Sequence, residues 1–272
     1  GDLVPHLWNM DGVATWGPTG AVEGGGTRWH HDCGTNEAGD GLLTLSQEPF
    51  TLPSGDTTEE GFAIEEYSFE TGEMTWRWSL AEDGEAIQDL ADPRTPEDPF
   101  HANSVFERDG IIYLSIRKAD AVALIDKQSR AVLGLLGAGR DYTLLDQTGA
   151  PAGEEHWFLD QHDVQVHEDL LTVYSNASPA TGFQVKGYRL DREAKTLQIE
   201  EEWQMEEEKS WYSSLLGGVD PVEEGGFSVA FGDPDGPFPS TLFLVDTEGA
   251  IRYQVSFPEK HGIYRSERRL TW

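Results

Sequence analysis

The chain of 272 residues holds one cysteine, Cys33, which excludes an internal disulfide framework and any cysteine-rich metal site. It is also poor in positive charge. Nineteen Lys and Arg stand against 50 Asp and Glu, a net charge of −31, so phosphate is repelled over most of the surface, which argues against a nucleic-acid partner. Such acidity suits salty surroundings, where ions screen self-repulsion within about 10 Å or less. No apolar run approaches the roughly 20 residues of a membrane-spanning helix, and the first residues show no basic-then-apolar leader. Heptads and helical apolar stripes are missing as well, which leaves β-structure as the expectation for a chain that is 38% hydrophobic with nine Trp, eight Tyr and twelve Phe.

What is present is a repeat. Apolar-aromatic segments broken by acidic turns occur around Gly12, Thr71, Gln128, Glu193 and Glu248, at spacings of 59, 57, 65 and 55 residues. Each reads as strand, acidic turn, strand. Ahead of these hairpins lie short runs of apolar or small residues: Gly41 to Leu45, Ile111 to Ile116, Leu170 to Tyr174 and Phe227 to Phe231. Such runs suit strands buried on both faces. Four antiparallel strands per unit make a propeller blade, although the period exceeds the usual repeat of about 40–50 residues.

The fold expected is therefore all-β, a single β-propeller domain over residues 1–272 built of four-stranded antiparallel blades, with five repeat units visible. The N-terminal hairpin and the strand around Gly262 to Leu270 would complete one blade together and remove free sheet edges. A sixth blade would need sequence upstream of Gly1.

Three motifs place histidine one or two residues before Asp or Asn near the start of a unit: His31-Asp32, His101-Ala102-Asn103 and His162-Asp163. A ring of blades would bring these side chains to its axis. Neutral imidazoles there are able to bind a metal, but Arg117, in Ser115-Ile116-Arg117-Lys118, argues against it: a fixed guanidinium beside histidines suits an anion and disfavours a divalent cation. No metal and no cofactor is expected. Cys33 reads as a small buried residue at a strand start, and His6, His156, His167 and His261 read as structural or surface residues.

His101 to Val105 with Ile112 to Arg117, then Asp160-Gln161-His162-Asp163 leading to Ser175-Asn176-Ala177, resemble the arylsulfotransferase propellers. His31-Asp32 and Tyr264 to Arg268 extend the resemblance in the same order over most of the chain. It implies a six-bladed propeller that moves a sulfuryl group from an aryl sulfate donor to a phenolic acceptor, with no nucleotide donor. It further implies that His162 is the nucleophile and becomes transiently sulfated. His31, His101, Asn103 and Arg117 would hold the sulfuryl oxygens and assist proton movement, with the acid/base role open between His31 and His101. A periplasmic or extracellular location belongs to the same implication. Ala177 stands where members often have Gly, and the extra N-terminal β-domain and cysteine pair of some members are not seen.

Aromatic substrates need a flat apolar cleft. Trp157, Phe158, Trp211 and Tyr212 could line it or could simply pack, and Asn176 and Arg265 join them as substrate-binding candidates. Two other readings stand beside transfer: a non-catalytic propeller that binds an aromatic or anionic ligand or a partner protein, and an aryl sulfate hydrolase with water as acceptor.

Overall fold

A computed structural model of the chain describes residues 7–8, 14–16, 28–178, 182–204, 211–213, 216–222, 225–232 and 238–258. Within it the chain forms two compact units, Gly1–Leu135 and Leu136–Trp272.

In the first unit, β1 (Leu7–Trp8) and β2 (Ala14–Trp16) make a short antiparallel pair. A four-stranded meander follows: β3 (Arg28–Thr35), β4 (Gly41–Thr51), β5 (Thr57–Ser68) and β6 (Met74–Ser79). One turn of helix, α1 (Leu80–Asp83), capped by Ser79, and a 3-10 segment lead into a second meander. This is β7 (Ala102–Arg108), β8 (Ile111–Ile116), β9 (Ala121–Asp126) and β10 (Val132–Leu136).

The second unit repeats the plan. β11 (Thr143–Leu145) lies parallel to the outer edge of a meander of β12 (His162–His167), β13 (Leu170–Ser178), β14 (Gly182–Asp191) and β15 (Thr196–Gln204). The last sheet is β16 (Gly218–Pro221), β17 (Phe227–Phe231), β18 (Thr241–Val245) and β19 (Ile251–Ser256). The all-β expectation and the four-stranded antiparallel sheets hold. Of the five repeat units expected, three are such sheets and a fourth is one with β11 added as a parallel fifth strand; the turn around Gly12 and the terminal strand around Gly262 to Leu270 lie outside the described residues.

The apolar runs become second strands because both their faces are covered. In β8 every residue is buried, and Ile112, Leu114 and Ile116 share one core with Leu43, Leu45, Phe62 and Ile64 of the neighbouring sheet. In the second unit Tyr174, Phe183 and Val185 pack with Val219, Val229, Phe231 and Phe243. Burying each such side chain stabilises the fold by about 1.5–3 kcal/mol before the cost of ordering.

The acidic turns have a local cause. Asp126 accepts from Ser129 N at 2.6 Å, Asp191 from Ala194 N at 2.8 Å, and Asp246 from Glu248 N at 2.9 Å and Ala250 N at 2.8 Å. Each carboxylate thus satisfies backbone donors that the hairpin leaves over. Tryptophans on outer strands then tie these turns to the sheet before them. Trp76 and Trp78 of β6 donate their indole N–H to Lys127 O (2.9 Å) and Arg130 O (3.0 Å), and Trp203 of β15 donates to Gly249 O at 2.9 Å.

Candidate functional site

The first strand of three sheets carries a bulge at its histidine motif. In β7, Ala102 pairs with Ile116 and Ser104 with Ser115, so Asn103 is an extra residue. In β12, His162 pairs with Tyr174 and Val164 with Val173, so Asp163 is extra. In β3, Trp29 pairs with Ser46 and Cys33 with Thr44, which sets His30, His31 and Asp32 against Leu45 alone. A bulge leaves a residue outside the ladder and re-aims its side chain. The register makes Asp32, Asn103 and Asp163 counterparts, and likewise His31, Ala102 and His162; His101 sits one residue earlier, just before its strand.

Backbone conformation marks the same places. Among the described non-glycine residues with positive φ, Asp109, Arg130, Glu168 and Lys195 lie in hairpin turns, but His31 (65°), His101 (49°) and Asp163 (47°) lie in these motifs. Left-handed backbone at such side chains costs of the order of 1–3 kcal/mol each and persists only where the surroundings impose it.

The bulged carboxylates impose part of it. Asp32 Oδ2 accepts the backbone N–H of Val105 on β7 at 2.7 Å, and Asp163 Oδ2 accepts that of Val219 on β16 at 2.8 Å. In each unit, the Asp beside a histidine therefore satisfies a donor on the edge strand of the next sheet. Both carboxylates are buried. Because Asp32 turns inward, the residue after it turns out: Cys33 is exposed, and the expectation of a buried cysteine is corrected.

Within the first unit the rings of His31 and His101 meet, centroids 4.5 Å apart and inclined by 46°. His101 Nδ1 is hydrogen-bonded to Asp98 Oδ2, and the backbone N–H of His101 donates to Asp98 Oδ1 at 3.1 Å. Burial alone would raise the Asp98 carboxyl, but the hydrogen bonds from His101 and the charges of His101 and His31 outweigh it and hold the carboxyl below its ordinary value. The carbonyl of His101 accepts from Arg117 N at 3.2 Å, so the short turn carrying Arg117 is pinned to the same loop. Arg117 and Asn103 are both buried.

Within the second unit, His162 Nδ1 faces Asn176 Oδ1 at 2.6 Å. The amide could be drawn either way round, but its other end faces two carbonyls, Ser213 O at 2.5 Å and Leu216 O at 3.4 Å. Carbonyls only accept, so that end is the NH2 and the end facing His162 is the oxygen. An oxygen acceptor requires a proton on Nδ1. The lone pair of the neutral ring is then on Nε2, and His162 is 1% exposed. The second oxygen of Asp163, beside it in sequence, accepts from Gln165 Nε2 at 3.0 Å. Ser213 holds its own loop through Leu216 N at 3.1 Å. Gly217 follows, at φ 150°, where a Cβ would run into the ring of Tyr174.

The aromatic candidates lie in packed surroundings. Trp157 and Phe158 pack edge to face with each other and lie against Tyr188, and Trp211 stacks on Phe238 at 4.6 Å. All three are buried, whereas Tyr212 is half-buried. Asn176, a substrate-binding candidate by sequence, has both ends of its amide engaged by protein. Arg265 lies outside the described residues. Asp98 and Ser213 were not among the sequence candidates; an acid three residues before His101 was the available signal for the first. Among the described residues no group of three or more His, Cys, Asp or Glu side chains is placed to hold a metal ion, and no helix is long and apolar enough to cross a membrane.

Residues 19–236 match the family model described as Arylsulfotransferase (ASST). Among solved structures, a Bacteroides caccae protein of unknown function is similar at 14% identity and a TM-score of 0.50, with 96% of this chain and 93% of that one covered. Kuenenia stuttgartiensis hydrazine synthase is similar at 10% identity and TM-score 0.47, over 88% of this chain and 53% of that one. Myxococcus xanthus glutaminyl cyclase follows at 10% and 0.40, over 80% and 72%. These likenesses concern the fold alone. No curated protein matches the chain.

Proposed function

From the premise that the chain belongs to the arylsulfotransferase family, we propose that it carries a sulfuryl group from an aryl sulfate to a phenol on His162, without a nucleotide donor. The observation that carries this reading is the amide of Asn176, which leaves His162 with its lone pair on Nε2.

Nε2 attacks sulfur, the S–O bond to the aryl group breaks, and its electron pair leaves on the phenolic oxygen, which takes a proton from a histidine. The sulfated ring is cationic and keeps its Nδ1 proton on the neutral oxygen of Asn176. An incoming phenol then gives its proton to the same histidine and attacks sulfur, releasing His162 for another cycle. Like phosphoryl transfer, this step spreads negative charge over the equatorial oxygens, so positioned donors do most of the work. Arg117, Asn103 and whichever of His31 and His101 is not the proton carrier are the donors proposed, each contributing about 3 kcal/mol to the transition state. The closed six-bladed propeller is the architecture proposed, with the four-stranded sheets as its blades, and a periplasmic or extracellular setting goes with it.

The test is to mix the protein with para-nitrophenyl sulfate, quench in alkali and map modified peptides by mass spectrometry. Sulfate on the peptide containing His162, with phenol release that rises with added phenolic acceptor, is expected. Turnover without modification of His162 would overturn the assignment. Release indifferent to acceptor indicates a hydrolase, and no release from any aryl sulfate indicates a binding protein.

A further inference from the structure

We propose that Asp98 is a positioning residue of this reaction, and that it makes His101, rather than His31, the group that hands a proton to the leaving phenol and takes one from the incoming phenol. The inference rests on the sulfotransfer reading and deepens it.

The two imidazoles are in contact, with centroids 4.5 Å apart. Their surroundings differ. His101 Nδ1 is bound to Asp98 Oδ2, and Asp98 feels the charge of His31. A carboxylate hydrogen-bonded to one ring nitrogen fixes the tautomer and orients the ring, leaving Nε2 to exchange a proton with substrate. On this arrangement, protonated His101 keeps Nδ1–H on Asp98 and gives its Nε2 proton to the departing phenolate. It becomes neutral with the lone pair on Nε2, ready to accept the proton of the acceptor. No other proton source is needed.

Asp98 is itself held. Its backbone N–H donates to Thr95 O at 3.0 Å, and its carbonyl accepts from Thr95 Oγ1 at 3.2 Å. Two residues on, Phe100 is fully buried against Phe50 and Phe62. His101 is thus fixed from both sides: by Phe100 in the core and by Ala102 in the ladder of β7. A loop built only to join β6 to β7 has no need to turn a carboxylate onto a half-buried imidazole.

The experiment compares native protein with Asp98→Asn on two donors in the first turnover. Para-nitrophenolate departs without a proton, whereas the phenolate of phenyl sulfate needs one. We expect the loss in Asp98→Asn to be at least about tenfold larger for phenyl sulfate than for para-nitrophenyl sulfate, out of the roughly 10²–10⁴-fold that proton transfer supplies. Equal losses on the two donors, as a mere loop brace would give, overturn the inference and leave the sulfotransfer reading intact. Absence of phenol release from native protein overturns both. As a readout independent of turnover, ¹⁵N shifts of neutral His101 in native protein should report Nδ1–H, and a proton on Nε2 instead sinks the proposal.

Discussion

His162 and Asn176 form a pair whose geometry is decided 37 residues further along the chain: the carbonyl of Ser213 takes the amide NH2 of Asn176, so the amide oxygen can only face the imidazole. The ring nitrogen left with the lone pair is thereby set by a carbonyl far along the chain.

Replacing Asn176 with Ala removes that choice. The expected result is a fall in kcat/KM for aryl sulfate turnover of roughly 10²–10⁴-fold, the scale on which a mis-set imidazole tautomer is felt. The ¹⁵N spectrum of His162 should lose its pure Nδ1–H signature at the same time. Retained activity in a folded Asn176→Ala protein would show that the tautomer is set elsewhere.

The staples made by Asp32 and Asp163 are expected to act on stability. Asp163→Ala strands the Val219 N–H and Asp32→Ala the Val105 N–H, each costing about 1–3 kcal/mol. Asn at either position keeps an acceptor oxygen and should cost less. Urea denaturation, with m-values compared to confirm a common unfolded state, measures the difference.

Acid should loosen the loop that carries Asp98. The side-chain and backbone hydrogen bonds from Arg94 lower the Asp92 carboxyl from 3.8 to about 2, and the Asp98 carboxyl is lowered as well. A carboxyl depressed in the folded state stabilises above its unfolded pKa, and that contribution is lost as pH falls through the folded one. The bracing is therefore complete above about pH 4 and disappears toward about pH 2. Peptic cleavage beside Phe100 should rise across this window and already be elevated at its upper end in Asp92→Asn. A rate that does not change with pH in native protein would contradict the sign.

Much of the fold could be read from residue order because its causes are local. The second strands are apolar runs, and the outer hairpins carry an Asp that binds its own turn, as at Asp126 and Asp246. The site was legible only in outline. Nothing in His101-Ala102-Asn103 announces that Asn103 is the extra residue in β7, so His101 read as a counterpart of His31 and His162 although the register puts Ala102 there. The partners of Asn176 and Asp98 were hidden for different reasons. The first depends on carbonyls brought from far along the chain, and the second on a loop with no periodic pattern at all. Trp157 and Phe158 look the same in sequence whether they line a cleft or fill a core; their mutual edge-to-face packing is a tertiary fact.

The bulges have an evolutionary corollary. Since Asn103 stands outside the rungs of its sheet, its side chain is aimed without spending a rung of the β7–β8 ladder, whereas the extra residue of β12, Asp163, also fastens Val219 on the next sheet. Natural variants can therefore sample new side chains at Asn103 while the β7–β8 ladder inherits its pairing, but at Asp163 only with another acceptor for Val219.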